Sequence, residues 1–97
     1  MIIRKFHERE NMVQVEIYTQ PGCPYCHRAV ALLESKKIAF KQINAPRGTK
    51  EREEAITRSG GRETVPQIFI DGQLLGGCDD LVSLERRGKL DAKLGIG

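Results

Sequence analysis

The sequence predicts a small α/β domain, one sheet with helices on both faces, and three observations predict it. Residues 13–19 alternate, with Val13, Val15, Ile17 and Thr19 opposed by Gln14, Glu16 and Tyr18, and a helical pattern takes over after Pro21-Gly22. A second strand pattern at Phe40–Asn44 follows that helix, and strands joined through a helix run parallel with a right-handed crossover. Residues 67–73 read QIFIDGQ before Leu74-Leu75, the mark of a tight antiparallel hairpin turning at Asp71-Gly72. A parallel pair plus a hairpin makes a four-stranded mixed sheet.

The first helix begins at the cysteines. Cys26, Val30 and Leu33 recur near helical spacing, Ala29 and Leu32 widen that apolar face, and Lys36 and Lys37 stand at its end. Residues 44–48, with Pro46, form a loop. Residues 49–59 are strongly charged, with Glu54 four residues before Arg58 in the favourable order and Gly60-Gly61 as a stop, so a solvated helix is expected there. Asp79 or Asp80 is expected to cap a further helix whose Leu81, Val82 and Leu84 face inward, ended by Arg86, Arg87 and Gly88. Leu90 and Leu94 imply one more helical turn.

A chain of 97 residues supports one core and not two domains. With 39% hydrophobic and 5% aromatic residues that core is mainly aliphatic, which excludes collagen-like, disordered and repeat architectures. The 16 Lys+Arg against 13 Asp+Glu are interspersed, a mild bias toward an anionic partner without the basic stripe a nucleic-acid surface needs. No apolar run reaches the length of a membrane span, and residues 1–11 lack the continuous apolar region of a secretory signal. Residues 1–12 are read as an N-terminal extension and 13–97 as the domain. Three cysteines, an odd number, suit a reducing cytosol better than a disulfide-stapled secreted scaffold.

The string Gly22-Cys23-Pro24-Tyr25-Cys26 lies where the first strand hands over to the first helix. A thiol at a helix start faces unpaired backbone N–H groups, which stabilise its thiolate and lower its pKa from the free value of about 8.5. Cys23 is therefore the expected nucleophile. Pro24 suits the first helical position because its missing N–H would have no intrahelical partner. Cys26, one turn further in, is the expected resolving thiol, and such a pair is what thiol–disulfide exchange requires. C-x-x-C is also half of a zinc site, but Cys78, His7 and His27 form no second pair, so no metal is expected.

Two further strings join this one: Thr64-Val65-Pro66 ahead of the hairpin and Gly76-Gly77-Cys78-Asp79-Asp80 at the last long helix. In this order and spacing the set resembles a dithiol, CPYC-type glutaredoxin of the bacterial glutaredoxin 3 type, over about residues 13–94. The resemblance implies a thioredoxin-like fold and a glutathione-dependent disulfide oxidoreductase, serving electron transport and cell redox homeostasis in the cytoplasm. It implies that Cys23 attacks protein–glutathione mixed disulfides and that Cys26 is needed only for protein disulfides. Val65, before a cis Pro66, would pair its backbone with glutathione. Cys78 and Asp79, assisted by Asp80, would hold the γ-glutamyl end, and Gly76-Gly77 would let backbone approach the ligand.

A cation for glutathione's glycine carboxylate is sought in Arg62 ahead of Arg58. Tyr25 is expected to wall the groove, and Thr64 and Gly77 to line it. Gln20 stands three residues before Cys23, where the resembled family often has Lys. His27 is left out of the site, as a helix-surface residue. Glutathione enters as co-substrate with no tightly bound cofactor, and the partners are glutathionylated or disulfide-containing proteins acted on by a monomer, without nucleic acid or membrane. The alternative is a glutathione-dependent [2Fe–2S] cluster-binding module, which Pro24 after the outer cysteine disfavours.

Overall fold

In the computed structural model residues 2–4 (backbone only) and 13–96 are described. The elements run β1 (Ile2–Arg4), β2 (Val15–Thr19), α1 (Pro24–Ser35), β3 (Phe40–Asn44), α2 (Lys50–Arg58), β4 (Gln67–Ile70), β5 (Gln73–Gly76), α3 (Cys78–Arg86) and α4 (Leu90–Lys93). The four expected strands are joined in one sheet of order β1-β3-β2-β4-β5. β2 runs parallel to β3 with Ile17 opposite Gln42, and antiparallel to β4 with Ile17 opposite Ile68. The fifth strand, β1, lies antiparallel on the outer edge of β3, with Ile3 opposite Lys41. Part of the expected extension thus belongs to the sheet, and residues 1 and 5–12 lie outside the described ones.

β2 begins two residues later than its alternation suggests, because Gln14 is drawn into the hairpin turn. Its N–H donates to the Asp71 carboxylate at 2.9 Å, and Asp71 N–H donates to Gln14 O at 2.8 Å. The turn itself has Asp71 at φ 51 and Gly72 at φ 82, the two left-handed positions a tight hairpin demands. β4 and β5 pair with a register shift between Ile68 and Phe69.

The alternation of β2 sorts two cores onto the two faces. Val15 and Ile17 pack with Phe40, Ile68, Ala29 and Leu33 of α1, Leu81 of α3, and Leu90 and Leu94 around α4. Truncating a fully buried leucine such as Leu33 there costs about 2–5 kcal/mol. Tyr18 joins Ile43, Ala45, Phe69 and Ala55 of α2 on the other face. Tyr18, a polar-face residue by its alternation, is therefore fully buried, its ring edge-on to Phe69 at 5.7 Å between centroids. With helices over both faces, every residue of β2 except the partly exposed Glu16 is buried.

α2 departs from a purely solvated helix. Ala55 and Arg52 are buried, and Arg58 reaches across the sheet, Nη2 donating to Glu16 at 2.8 Å and its guanidinium lying 4.2 Å from the Phe69 ring. Thr49 caps its start, accepting from Arg52 N–H at 3.2 Å. α3 is capped at Gly77 and not at Asp79 or Asp80: Gly77 N–H donates to the Asp80 carboxylate at 2.9 Å. Asp80 reaches back from the third helical position and does the work expected of a cap residue. Lys36, at the end of α1, binds Glu85 of α3 and Asp91 of α4, each at 2.7 Å, which ties the three helices of one face together.

Candidate active site

The strand-to-helix junction places the cysteine pair at the end of the sheet. Gly22, at φ 71, turns the chain after β2, and Cys23 becomes the N-cap of α1 with Pro24 next. Cys23 Sγ accepts from Cys26 N–H at 3.2 Å. A disulfide joins the two, with Cα atoms 5.2 Å apart. Cys23 is 9% exposed and Cys26 1%, so the first is the outer sulfur and the second the inner one. Tyr25 between them is 57% exposed, the one exposed large hydrophobic residue among those described.

The second string arrives beside the first through the strand pairing of β2 with β4. The Val65–Pro66 peptide bond is cis, and the Val65 carbonyl oxygen lies 3.9 Å from Cys23 Sγ. Gln67 is buried behind it and steadies the loop, its side-chain amide donating to Arg62 O at 2.8 Å and Thr64 O at 3.0 Å.

The third string completes the wall. A cavity of about 410 Å³ is lined by Tyr25, Arg62, Thr64, Val65, Pro66, Gly77, Cys78, Asp79 and Asp80. All eight residues expected to line a glutathione groove thus surround one cavity. Within it Asp79 is exposed, Cys78 is 4% exposed, and the Arg62 guanidinium lies 3.7 Å from where a Cβ on Gly77 would stand. Burial pushes the Cys78 thiol up, opposed by Arg28 and reinforced by Asp79. Gly76, at φ 138, has no room for a Cβ, which would overlap the Asp80 carboxylate. Asp80 is accordingly a cap that shapes the groove's end.

Arg58, one of two cations considered for the groove, stands elsewhere. It is held by Glu16 and donates to the Tyr18 hydroxyl at 2.8 Å. The Tyr18 hydroxyl in turn donates to Glu54, and burial, with that bond, raises its pKa to about 12.

Arg52 is the residue the sequence reading missed. It is 3% exposed, and its Nη1 donates to Gln20 Oε1 and Ala45 O, each at 2.8 Å, while Nε donates to Glu63 O at 3.1 Å. The sequence places it in a strongly charged segment expected to be solvated, and nothing there marks it as buried. A second cavity, about 570 Å³, flanks Cys26 and His27 on the opposite side of α1, floored by Thr19, Gln20 and Gln42. Among the described residues no three His, Cys, Asp or Glu side chains are grouped to hold a metal ion, and no helix is long and apolar enough to cross a membrane.

Known proteins share this arrangement. The glutaredoxin family model matches residues 15–75. Glutaredoxin 3 of Escherichia coli is 58% identical over 83 residues, covering 86% of this chain and 99% of that one. The solution structure of a glutaredoxin from Brucella melitensis superposes with a TM-score of 0.75 at 54% identity, covering 90% of this chain and 94% of that one. A buckwheat glutaredoxin–glutathione complex superposes with a TM-score of 0.74 at 26% identity, over 90% of this chain and 84% of that one. A family match across well over half of the residues, together with such identity along nearly the whole of a bacterial relative, makes this chain a member of the glutaredoxin family.

Proposed function

We propose that Cys23 is the nucleophile and Cys26 the resolving thiol of this glutaredoxin, with glutathione seated in the cavity between Tyr25, Val65 and Asp79. As a glutaredoxin the protein is a glutathione-dependent thiol–disulfide oxidoreductase. The Cys23 thiolate attacks the glutathionyl sulfur of a protein–glutathione mixed disulfide. The old S–S bond breaks, the protein leaves as a thiolate that takes up a proton, and glutathione remains on Cys23. A second glutathione thiolate attacks that glutathionyl sulfur, releasing glutathione disulfide and restoring Cys23. With a protein disulfide the first attack leaves the substrate on Cys23, and Cys26 displaces it to form the Cys23–Cys26 disulfide, which two glutathiones then reduce.

One observation carries the reading: Cys23 Sγ stands 3.9 Å from the carbonyl of Val65, a residue that lines the same cavity as Arg62 and Asp79. An extended cysteinyl peptide paired with the Val65 backbone presents its sulfur to Cys23, Asp79 faces its ammonium end and Arg62 its far carboxylate. The glutathione complex of the buckwheat relative supports this occupant. The reading includes a cytosolic monomer acting on glutathionylated and disulfide-bearing proteins.

Glutathione-dependent reduction of a small mixed disulfide, coupled to glutathione reductase, tests it. Cys26→Ser is expected to keep this activity and lose protein-disulfide reduction, and Cys23→Ser to lose both. Equal loss in the two variants would overturn the division of labour.

A further inference from the structure

The walls of the groove come from segments that do not touch in sequence, and one buried side chain bonds to both. Gln20 begins the turn that delivers Cys23, and Glu63 lies two residues before Val65. Arg52 donates to the side chain of the first and to the backbone carbonyl of the second, while Ala45 O fixes the same guanidinium to the sheet. Ala45 is itself fully buried, and its N–H donates to Thr19 O at the end of β2. The chain Thr19–Ala45–Arg52 is therefore a rigid base from which both loops are held.

All three acceptors are uncharged. A guanidinium whose hydrogen bonds all go to uncharged carbonyls gives up its hydration without a direct carboxylate partner, and burial, with Arg47 nearby, lowers the Arg52 pKa against the opposing charge of Glu63. Its planar fork carries five N–H donors in fixed directions, and here it reaches three acceptors on three separate segments at once. Lysine offers a point charge, with no such fork. Gln20 is the matching half, since its carbonyl accepts where an ammonium at that position would face the guanidinium.

We propose that Arg52, acting through Gln20 and Glu63, is a positioning residue that sets the gap between Cys23 and Val65 into which the substrate sulfur must fit. The inference rests on the roles of Cys23 and Val65 proposed above. In-line attack depends on placement to a fraction of an ångström, so loosening either tie lowers turnover of the bound substrate without removing the thiolate.

The test uses Arg52→Lys, Arg52→Met, Gln20→Ala and the Gln20→Ala/Arg52→Met double variant, each checked for a cooperative unfolding transition. Both Arg52 variants are expected to lose roughly ten- to a hundredfold in kcat/KM for a glutathionylated peptide, with the Cys23 alkylation pH profile unmoved. Gln20→Ala is expected to lose less, and to cost nothing further once Arg52 is Met. Wild-type turnover in Arg52→Lys with loss in Arg52→Met would show that charge alone matters and overturn the tie, as would additive losses. Amide exchange at Gly22, Cys23 and Val65 is expected to quicken in Gln20→Ala while Ala55 is unchanged. That readout decides the tie even if wild type proves inactive with glutathione, an outcome that would instead remove the functional reading.

Discussion

Cys23 Sγ accepts a hydrogen bond from the Cys26 backbone N–H at 3.2 Å, so the sulfur occupies the place that a serine oxygen holds at other helix starts. The thiolate would receive that bond and the helix dipole together. In the Cys26→Ser variant the Cys23 alkylation rate is therefore expected to titrate below the free thiol value of about 8.5. Cys78, buried and with its pKa pushed up, is expected to stay unlabelled over the same range. Iodoacetamide kinetics against pH, with mass mapping of the label, measure both; faster labelling of Cys78 would contradict the assignment.

Gly76→Ala is expected to be costly. Its φ of 138 and the Asp80 carboxylate at the place of the new Cβ leave no relaxed position. Backbone strain of this kind costs about 1–3 kcal/mol, and displacing Asp80 also frees the Gly77 N–H that opens α3. Thermal unfolding should show the loss. Asp80→Asn, which keeps an acceptor, should lie closer to wild type, and equal costs would remove the steric argument.

Arg62→Met is expected to raise the KM for glutathionylated substrates about five- to tenfold while leaving kcat nearly unchanged, because an exposed cation at the groove rim contributes binding shared by ground and transition states. Steady-state kinetics separate the two constants. A drop in kcat alone would argue that Arg62 acts on the reacting sulfurs.

Tyr18 carries an alkaline signature. Its pKa is raised from 10.0 to about 12 by burial first and by its bond to Glu54 second, against the opposing bond from Arg58. A raised folded-state pKa means the contribution is complete below about 10 and is lost as pH climbs toward about 12. Stability is expected to fall across that window in wild type and to fall less in Tyr18→Phe. Urea midpoints at pH 9, 10 and 11 would reveal it, and parallel curves for the two proteins would refute it. At the acid end Glu16, its pKa lowered chiefly by the bond from Arg58, gives stability present above its ordinary value and lost as pH falls.

Much of this molecule can be read from its sequence, and what resists has a common cause. The hairpin is legible because Asp71-Gly72 is dictated by turn chemistry between neighbours, and β3 because its ends are set by adjacent residues. The cavity's residues other than Arg62 are legible because three short strings carry them. Arg52 is not, since a charged helix looks solvated until Ala45 O and Glu63 O, 7 and 11 residues away, are known to point at it. The cap of α3 is misplaced for a related reason: Gly77 has no side chain to announce it, and Asp80 serves backwards. Arg58 is likewise drawn to Glu16, 42 residues distant. β1 is three residues without alternation, and only its pairing with β3 makes it a strand.

That pairing has a consequence for the protein in a crowded solution. β3 would otherwise be the sheet's outermost strand, with an unpaired row of N–H and C=O groups alongside the buried Phe40 and Ile43. Such a row invites another chain to extend the sheet. Ile2–Arg4 fills it with the molecule's own backbone and leaves at that boundary a strand too short to template a stranger. Removing the segment would thus be felt first as self-association at high concentration, with the chemistry of Cys23 at the far end of β2 left intact.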